Sequence, residues 1–348
     1  MKRLPLRTAL AAALLSTAVS VSAKNLVVCT EASPEGFDIV QFTTAVTADA
    51  SAETILNRLA DFAPGSTDVE PALAERWDIS PDGLEYTFYL RPGVKFHTTD
   101  YFKPTRNLNA DDVIWSFQRQ LDPNHPWHKL SLVGYPYFES MGFKNLLKSV
   151  EKVDDMTVKI TLNHPEAPFL RDVAMPFNSI YSAEYADQLL KSGKTADLNN
   201  KPIGTGPFIF VRYNKDAQVR FKANPDYFRG KPPSDNLIFA IATDSNVRLQ
   251  KLKANECQIA LYPKPDDVKN IRKDSNLKVD ELAALMTSYI AMNTSHKYLS
   301  DVRVRKAIDM AFDKQTYLNS VHGEGNALLA INPYPPTMLG YNTSIPRP

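Results

Sequence analysis

Sulfur is scarce in this chain. Its 348 residues include two cysteines, Cys29 and Cys257, so a single disulfide is the most it can close within itself. Glycine is low at 13, against 25 prolines. The prolines are dispersed, which marks turns and long connections in a loop-rich fold rather than a disordered tract. Neither sign of charge dominates, with 40 basic and 39 acidic residues and a net charge of +1. A nucleic-acid surface would need a basic stripe, so no nucleic-acid partner is expected. After residue 23 no run is apolar enough to cross a bilayer, which takes roughly 20 residues. Gly-x-Gly-x-x-Gly and Gly-x-Ser-x-Gly are both missing, which removes the dinucleotide fingerprint and the nucleophile elbow. No internal repeat is present.

What is there begins with an export signal. Lys2, Arg3 and Arg7 form a positive start, Thr8 to Val19 a small apolar stretch, and Val21-Ser22-Ala23 a small-x-small cleavage site. Residues 1–23 are therefore expected to be a signal peptide cleaved after Ala23. No Cys follows that point, which argues against a lipid anchor. An exported chain with two cysteines is expected to pair Cys29 with Cys257, the alternative being two buried thiols. In the chain-entropy picture so long a loop is worth on the order of 5 kcal/mol. With 43% hydrophobic residues, the remainder can bury a large core and exceeds one typical domain.

Periodicity supplies the elements. Tyr86, Phe88 and Leu90 alternate with Glu85, Thr87 and Tyr89, the pattern of a half-buried strand, and Asp82-Gly83 links it to a strand at Trp77–Ile79. Asn25–Cys29 reads as a short buried strand, residues 30–45 as a polar loop, and Ile55, Leu56 and Leu59 show helical spacing. Asn109 caps a helix whose face is Val113, Ile114, Phe117 and Leu121, with Asp111 and Asp112 in the first turn. A long loop runs from Asp122 to Gly142. A second hairpin spans Val153–Leu162, and Ser182–Leu190 is helical. An alternating stretch runs through Tyr213, and strands follow near 219–222, 237–241 and 258–261. Helices are expected at 246–254 and 301–312, with a strand at Tyr289–Met292. Strands alternating with helices predict an α/β fold with a mixed sheet.

No constellation carries convincing catalytic chemistry. Gly204-Thr205-Gly206-Pro207 lacks the Lys-Ser/Thr and helix of a phosphate loop and reads as a tight bend at a domain crossing. His125 and His128 sit in a proline-broken loop without a third ligand, so surface histidines are expected and no metal site. Asp111-Asp112 and Asp154-Asp155 read as a helix start and a turn rather than acid–base pairs. The chain is read as a binder and not an enzyme, with no cofactor.

The residue identities go further than the spacing. Leu73–Trp77 with the run Leu84–His97, Val28–Phe37, Phe102–Arg106, Leu108–Val113, Pro202–Phe208, Asn255–Cys257 and Val302–Ala307 together resemble the ABC-transporter solute-binding proteins of family 5, which serve peptide, nickel and haem importers. Within that family the likeness is to the periplasmic dipeptide-binding branch of Gram-negative bacteria, over essentially the whole chain.

The resemblance implies a periplasmic-binding-protein type II-like α/β fold of two lobes with an inserted extra domain. Residues 24–56 and 205–283 would form lobe one, 57–204 the inserted domain, and 284–348 the start of a second lobe. Cys29 and Cys257 match a family disulfide within lobe one. Phe42-Thr43-Thr44-Ala45 resembles the lobe-one loop near the ligand, with Ala45 where the dipeptide binders carry Gly. Family members are longer, so the chain is expected to be truncated with its C-terminal lobe incomplete. The acid and arginine that hold the ligand's termini lie in the missing part. Asp301, Arg303 and Arg305 read as a helix start and its solvated face, not as substitutes.

The implied function is the periplasmic substrate-binding component of an importer for dipeptides or short peptides. It would act as a monomer that closes around its ligand and delivers it to an inner-membrane ABC permease. Alternatives are a haem-binding or antimicrobial-peptide-binding relative, suggested by Phe96–Phe102 and Asn124–His128, and a fragment that has lost binding. An exported hydrolase built on a His-Asp pair is a further, weaker alternative.

Overall fold

A computed structural model of the chain describes residues 24–131, 133–282, 284, 286–336, 338 and 341–344. The expected signal peptide lies outside the described residues. β1 (Asn25–Thr30) is followed by a buried turn at Ile39–Gln41 and by α1 (Ala45–Ala50). β2 (Ala60–Phe62) and β3 (Val69–Pro71) form a small ribbon. β4 (Ala74–Ile79) and β5 (Glu85–Leu90) form the first hairpin, and α2 spans Ala110–Leu121. Short helices α3 (Pro136–Ser140) and α4 (Phe143–Leu146) lead into the hairpin of β6 (Leu147–Asp154) and β7 (Thr157–Leu162). Helices α5 (Phe169–Val173), α6 (Ala183–Ser192) and α7 (Asp197–Asn200) follow. Then come β8 (Phe208–Asn214), β9 (Gln218–Ala223), β10 (Asn236–Ile241), α8 (Ser245–Lys253), β11 (Ile259–Ala260) and α9 (Pro265–Ile271). Finally α10 spans Val302–Ala311 and α11 Lys314–His322.

Two larger sheets organise these elements. One has the order β11-β1-β10-β9-β8, with β1 parallel to both neighbours and an antiparallel meander on its far side. The other, β4-β5-β7-β6, is wholly antiparallel. The alternation in β5 holds, with Tyr86, Phe88 and Leu90 buried, and Phe88 pairs with Trp77 across the hairpin. Gly83 takes a left-handed φ of +71° in the connecting turn, where the Asp82 side chain accepts from the Leu84 amide. The Asn109 cap of α2 is a full capping box with Asp112, and Asp112 also takes both Nη atoms of Arg106. The Ser182 hydroxyl caps α6 through the Tyr185 amide.

Residues 31–44 form a loop, as expected, although Phe37, Asp38, Ile39 and Val40 within it are buried. Two expectations fail. The helix near Ile55 starts earlier, at Ala45, and ends at Ala50. Ile55, Leu56 and Leu59 are fully buried beyond it, so their spacing reports burial on several sides rather than one helical face. Tyr289–Met292 is not a strand. A strand needs a neighbour for its backbone groups, and none is paired there among the described residues.

The glycine-rich bend explains how the two sheets are joined. The backbone leaves the first sheet through residues 54–57 and returns through 204–208. Gly206 N donates to Ile55 O at 2.8 Å and Phe208 N to Thr54 O at 3.0 Å. The Thr205 hydroxyl donates to Asn57 Oδ1 at 2.9 Å. A Cβ on Gly204 would lie 2.0 Å from Ile55 O, and one on Gly206 2.5 Å from Ile55 C. The glycines are there because two backbones touch, not to bind phosphate. Gly206→Ala is expected to lose about 3 kcal/mol in urea unfolding, since overpacking against backbone cannot relax. Gly93→Ala, at φ +74° with nothing near its Cβ position, should lose only about 1 kcal/mol.

Candidate functional site

β1, β10 and β11 run parallel, so their carboxyl ends open on one side of the sheet, the usual location of ligand sites in open α/β sheets. The segment leaving β1 there is held at several points. The Tyr213 hydroxyl donates to Pro34 O at 2.8 Å, and Ser33 bonds Asp216 at 2.7 Å. The Phe37 ring packs on Phe210 at 4.8 Å and Tyr213 at 5.6 Å. Asn199 Oδ1 accepts from the amides of Phe37 and Asp38, and this approach leaves no room for a side chain at Gly36.

The deepest anchor is an ion pair. Arg119 of α2 donates through Nη2 to Asp38 Oδ2 at 2.5 Å, with both side chains 2% exposed. Trp115, Tyr135 and Tyr181 place their rings 5.1, 5.8 and 5.2 Å from the guanidinium carbon, within cation–π range. Burial opposes the arginine's charge, but the Asp38 carboxylate outweighs it and holds Arg119 above its ordinary value. Burial also drives the Tyr181 hydroxyl well above its usual range, with Asp38 adding to the effect.

On this footing the expected site residues come together on one turn. Phe42 is half-buried and extended, Thr43, Thr44 and Ala45 are exposed, and Thr44 is also extended before α1 begins. The Thr44 hydroxyl donates to Glu35 Oε2 at 2.9 Å, and Thr47 Oγ1 accepts from Glu35 N at 3.0 Å. Three carboxylates, Glu31, Asp49 and Glu53, influence one another near the turn, and Glu53 is paired with Arg58 at 3.1 Å. Burial, with Glu53 and Glu31 adding like charge, pushes the Asp49 carboxyl up to about 6. The exposed Tyr262, at φ +49°, stands near the same carboxylates: partial burial raises its hydroxyl, and Asp49 and Glu31 add to this.

Cys29 and Cys257 form the expected disulfide, with Cα atoms 5.8 Å apart, tying the centre of the sheet to the segment before β11. His125 and His128 are half-buried rather than surface residues. The His125 ring accepts from the Trp127 amide, and the His128 ring bonds Arg119 O at 2.9 Å. Packing on Trp115 and Tyr135 covers them, which residue spacing could not reveal. Among the described residues no three His, Cys, Asp or Glu side chains are grouped to hold a metal ion. Asp301 caps α10 by accepting from Arg303 N, and Arg305 donates to the carbonyls of Leu299 and Ser300, as a helix start requires.

Two residues, at the crossing and near the turn, escaped the sequence reading. His97 is buried, and its Nε2 donates to Gly206 O at 2.9 Å. The Phe96–Phe102 stretch that suggested haem therefore serves packing, since Tyr101 also donates to Pro202 O at 3.0 Å. The only available signal for His97 was its position in a buried-looking run. Asp49 had only its four-residue spacing to Glu53, because Glu31 joins it through the fold.

Comparison with known proteins follows from this geometry. The family of bacterial extracellular solute-binding proteins, family 5, matches residues 68–348. The chain belongs to that family. It is 67% identical over 345 residues to Di/tripeptide-binding protein 4 of Pseudomonas aeruginosa, covering 99% of this chain and 64% of the relative. It is 48% identical to Heme-binding protein A of Haemophilus influenzae, over 94% of this chain and 60% of the relative. Among solved structures it resembles the periplasmic binding protein DppA from Helicobacter pylori in complex with the peptide STSA. There the TM-score is 0.86 at 38% identity, covering 93% of this chain and 63% of that one. The chain thus spans less than two thirds of the length of these relatives.

Two measurements test the site's supports. Asp38→Ala should cost about 3–5 kcal/mol by leaving Arg119 buried and unpaired, whereas the double change Asp38→Leu with Arg119→Met should cost less than Asp38→Ala alone. A urea-unfolding cycle reads both. The second concerns pH. Burial lowers His97 from 6.5 to about 4, so its contribution to stability is full above pH 6.5 and is lost as pH falls towards 4. Asp49 behaves oppositely. Its raised value makes its contribution full below pH 3.8 and lost as pH rises through 6. His97→Gln should remove on the order of 3 kcal/mol of the stability decline between pH 6.5 and 4. Asp49→Asn should gain about 1–2 kcal/mol at pH 7, screening included, and nothing at pH 4.

Proposed function

We propose that this chain provides the first lobe and inserted domain of a periplasmic substrate-binding component of an ABC importer for dipeptides or short peptides. The observation that carries the reading is the turn Phe42–Ala45, extended at Phe42 and Thr44 and exposed from Thr43 to Ala45 where α1 begins, on the segment that leaves the carboxyl end of β1. Extended exposed backbone can pair with an extended peptide through main-chain hydrogen bonds, which suits a binder indifferent to side chains.

In this reading residues 24–56 and 205–283 form lobe one, 57–204 the inserted domain, and 284–348 the start of a second lobe. The side-by-side backbones at Ile55 and Gly206 support the first two boundaries. Residues 1–23 direct export and are removed after Ala23. The mature protein works as a monomer, closes around its ligand by hinge motion and passes it to an inner-membrane permease. It binds rather than catalyses, as a member of a solute-binding family. Haem is the second candidate ligand, favoured by the identity to Heme-binding protein A.

A chimera tests this, with residues 24–344 replacing the matched part of Di/tripeptide-binding protein 4. Calorimetry should show dipeptide binding at micromolar affinity or tighter. Ala45→Trp should weaken it at least about tenfold, or 1.4 kcal/mol, without changing the melting temperature. Unchanged affinity would remove the Phe42–Ala45 turn from the site. A Soret shift on haem addition, without peptide heat, would transfer the assignment to haem. The chain by itself is expected to bind dipeptide weakly or not at all.

A further inference from the structure

Arg248, in α8, is buried, and among the described residues no carboxylate pairs with it. Its guanidinium donates to main-chain carbonyls instead. Nε reaches Leu261 O at 3.0 Å, Nη1 reaches Ala242 O at 2.7 Å and Thr243 O at 3.0 Å, and Nη2 reaches Tyr262 O at 3.0 Å. A buried guanidinium without a counter-charge needs its donors filled, and the planar fork meets four carbonyl dipoles here. Those carbonyls belong to two separate segments. Residues 242–243 leave β10 and residues 261–262 leave β11. β1 lies between the two strands in the sheet, so the segments are not strand neighbours, and the arginine bridges them.

Both segments emerge at the carboxyl ends of strands parallel to β1, the side from which the chain runs on towards Phe42–Ala45. Tyr262 is left-handed there, at φ +49°. The other non-glycine residues described in that region, Asp216 and Asn255, are types that adopt it readily, whereas tyrosine is not. Such a conformation persists where surrounding contacts impose it, and it recurs at ligand sites. The bond from Arg248 to the Tyr262 carbonyl is such a contact. Asp49 of α1 and Glu31 both act on the Tyr262 hydroxyl, which places the ring on the α1 side of this surface.

We propose that Arg248 is a positioning residue of the candidate site: it locks the segments leaving β10 and β11 to each other, holds Tyr262 left-handed, and through that lock sets the affinity for dipeptide. In linking the lock to peptide affinity, the proposal rests on the functional reading above. Arg248 itself is buried behind the two segments and acts on ligand only through them.

Amide exchange at residue resolution on the full chain, with calorimetry on the chimera described above, tests this. Ala242 N donates to Thr30 O at 2.9 Å and Leu261 N to Cys29 O at 3.0 Å, so these two amides report the two segments. In the unmodified chain they should exchange through one common opening, with protection equal within about threefold. Arg248→Lys keeps the charge but replaces the fork with a single ammonium, and should speed both amides about tenfold while leaving those of β9 unchanged. In the chimera the same substitution should weaken dipeptide binding about tenfold, because the segments must then be ordered on binding. Tyr262→Gly, which takes the left-handed conformation freely, should weaken binding to a similar degree without lowering the melting temperature. Combined with Arg248→Lys it should add no further loss. Unequal protection of the two amides in the unmodified chain would overturn the lock, whether or not Arg248→Lys folds. Losses of affinity that simply add would overturn the route through Tyr262, as would unchanged affinity in Tyr262→Gly. A chimera that takes no dipeptide with Arg248 intact would overturn the peptide reading and the link to affinity, while the exchange result would still decide the lock.

Discussion

The crossing at which residues 54–57 lie against residues 204–208 governs the rest of the structure. Two backbones meet there closely enough that Gly204 and Gly206 cannot carry a side chain. The meeting sets where the antiparallel sheet stands relative to the mixed one. It also recruits His97, whose amide donates to Gly204 O at 2.8 Å and whose ring donates to Gly206 O, so the segment after β5 is sewn to the same point. Asn224 reaches the Gly206 carbonyl as well, at 2.9 Å.

The Asp38–Arg119 pair is the second consequence. α2 belongs to the part of the chain built around the antiparallel sheet, yet its arginine reaches the segment that leaves β1. A buried charge pair is weak evidence for net stability, because desolvation offsets much of the attraction. Its value is positional. It fixes the turn at Ile39–Gln41, and so the direction in which Phe42–Ala45 leave the protein. The proposed role of that turn would need such support, since a mobile loop would lose affinity to its own ordering.

The two helices at the far end of the described chain stand in contrast. Their caps are sound, with Asp301 and Asp313 each accepting from the first-turn amides. Local sequence is therefore enough to start them, and it is not enough to bury them.

Sequence by itself determined the features set by neighbours along the chain. These include the alternation of β5, the Asp82-Gly83 turn, the Asn109 capping box of α2, the cysteine pairing expected of an exported chain, and the family likeness that pointed to Phe42–Ala45. Each depends on residues a few positions apart or on residue identity alone. Only the tertiary structure decided the rest. It turned the apparent helix around Ile55 into a buried crossing, left Tyr289–Met292 without a strand partner, and covered His125 and His128 with aromatic rings. It paired Asp38 with a residue 81 positions away and brought Glu31 to the Asp49–Glu53 pair. The physical reason is the same throughout: burial, charge coupling and strand pairing are properties of neighbours in space, and periodicity records only that a residue is covered, not by what.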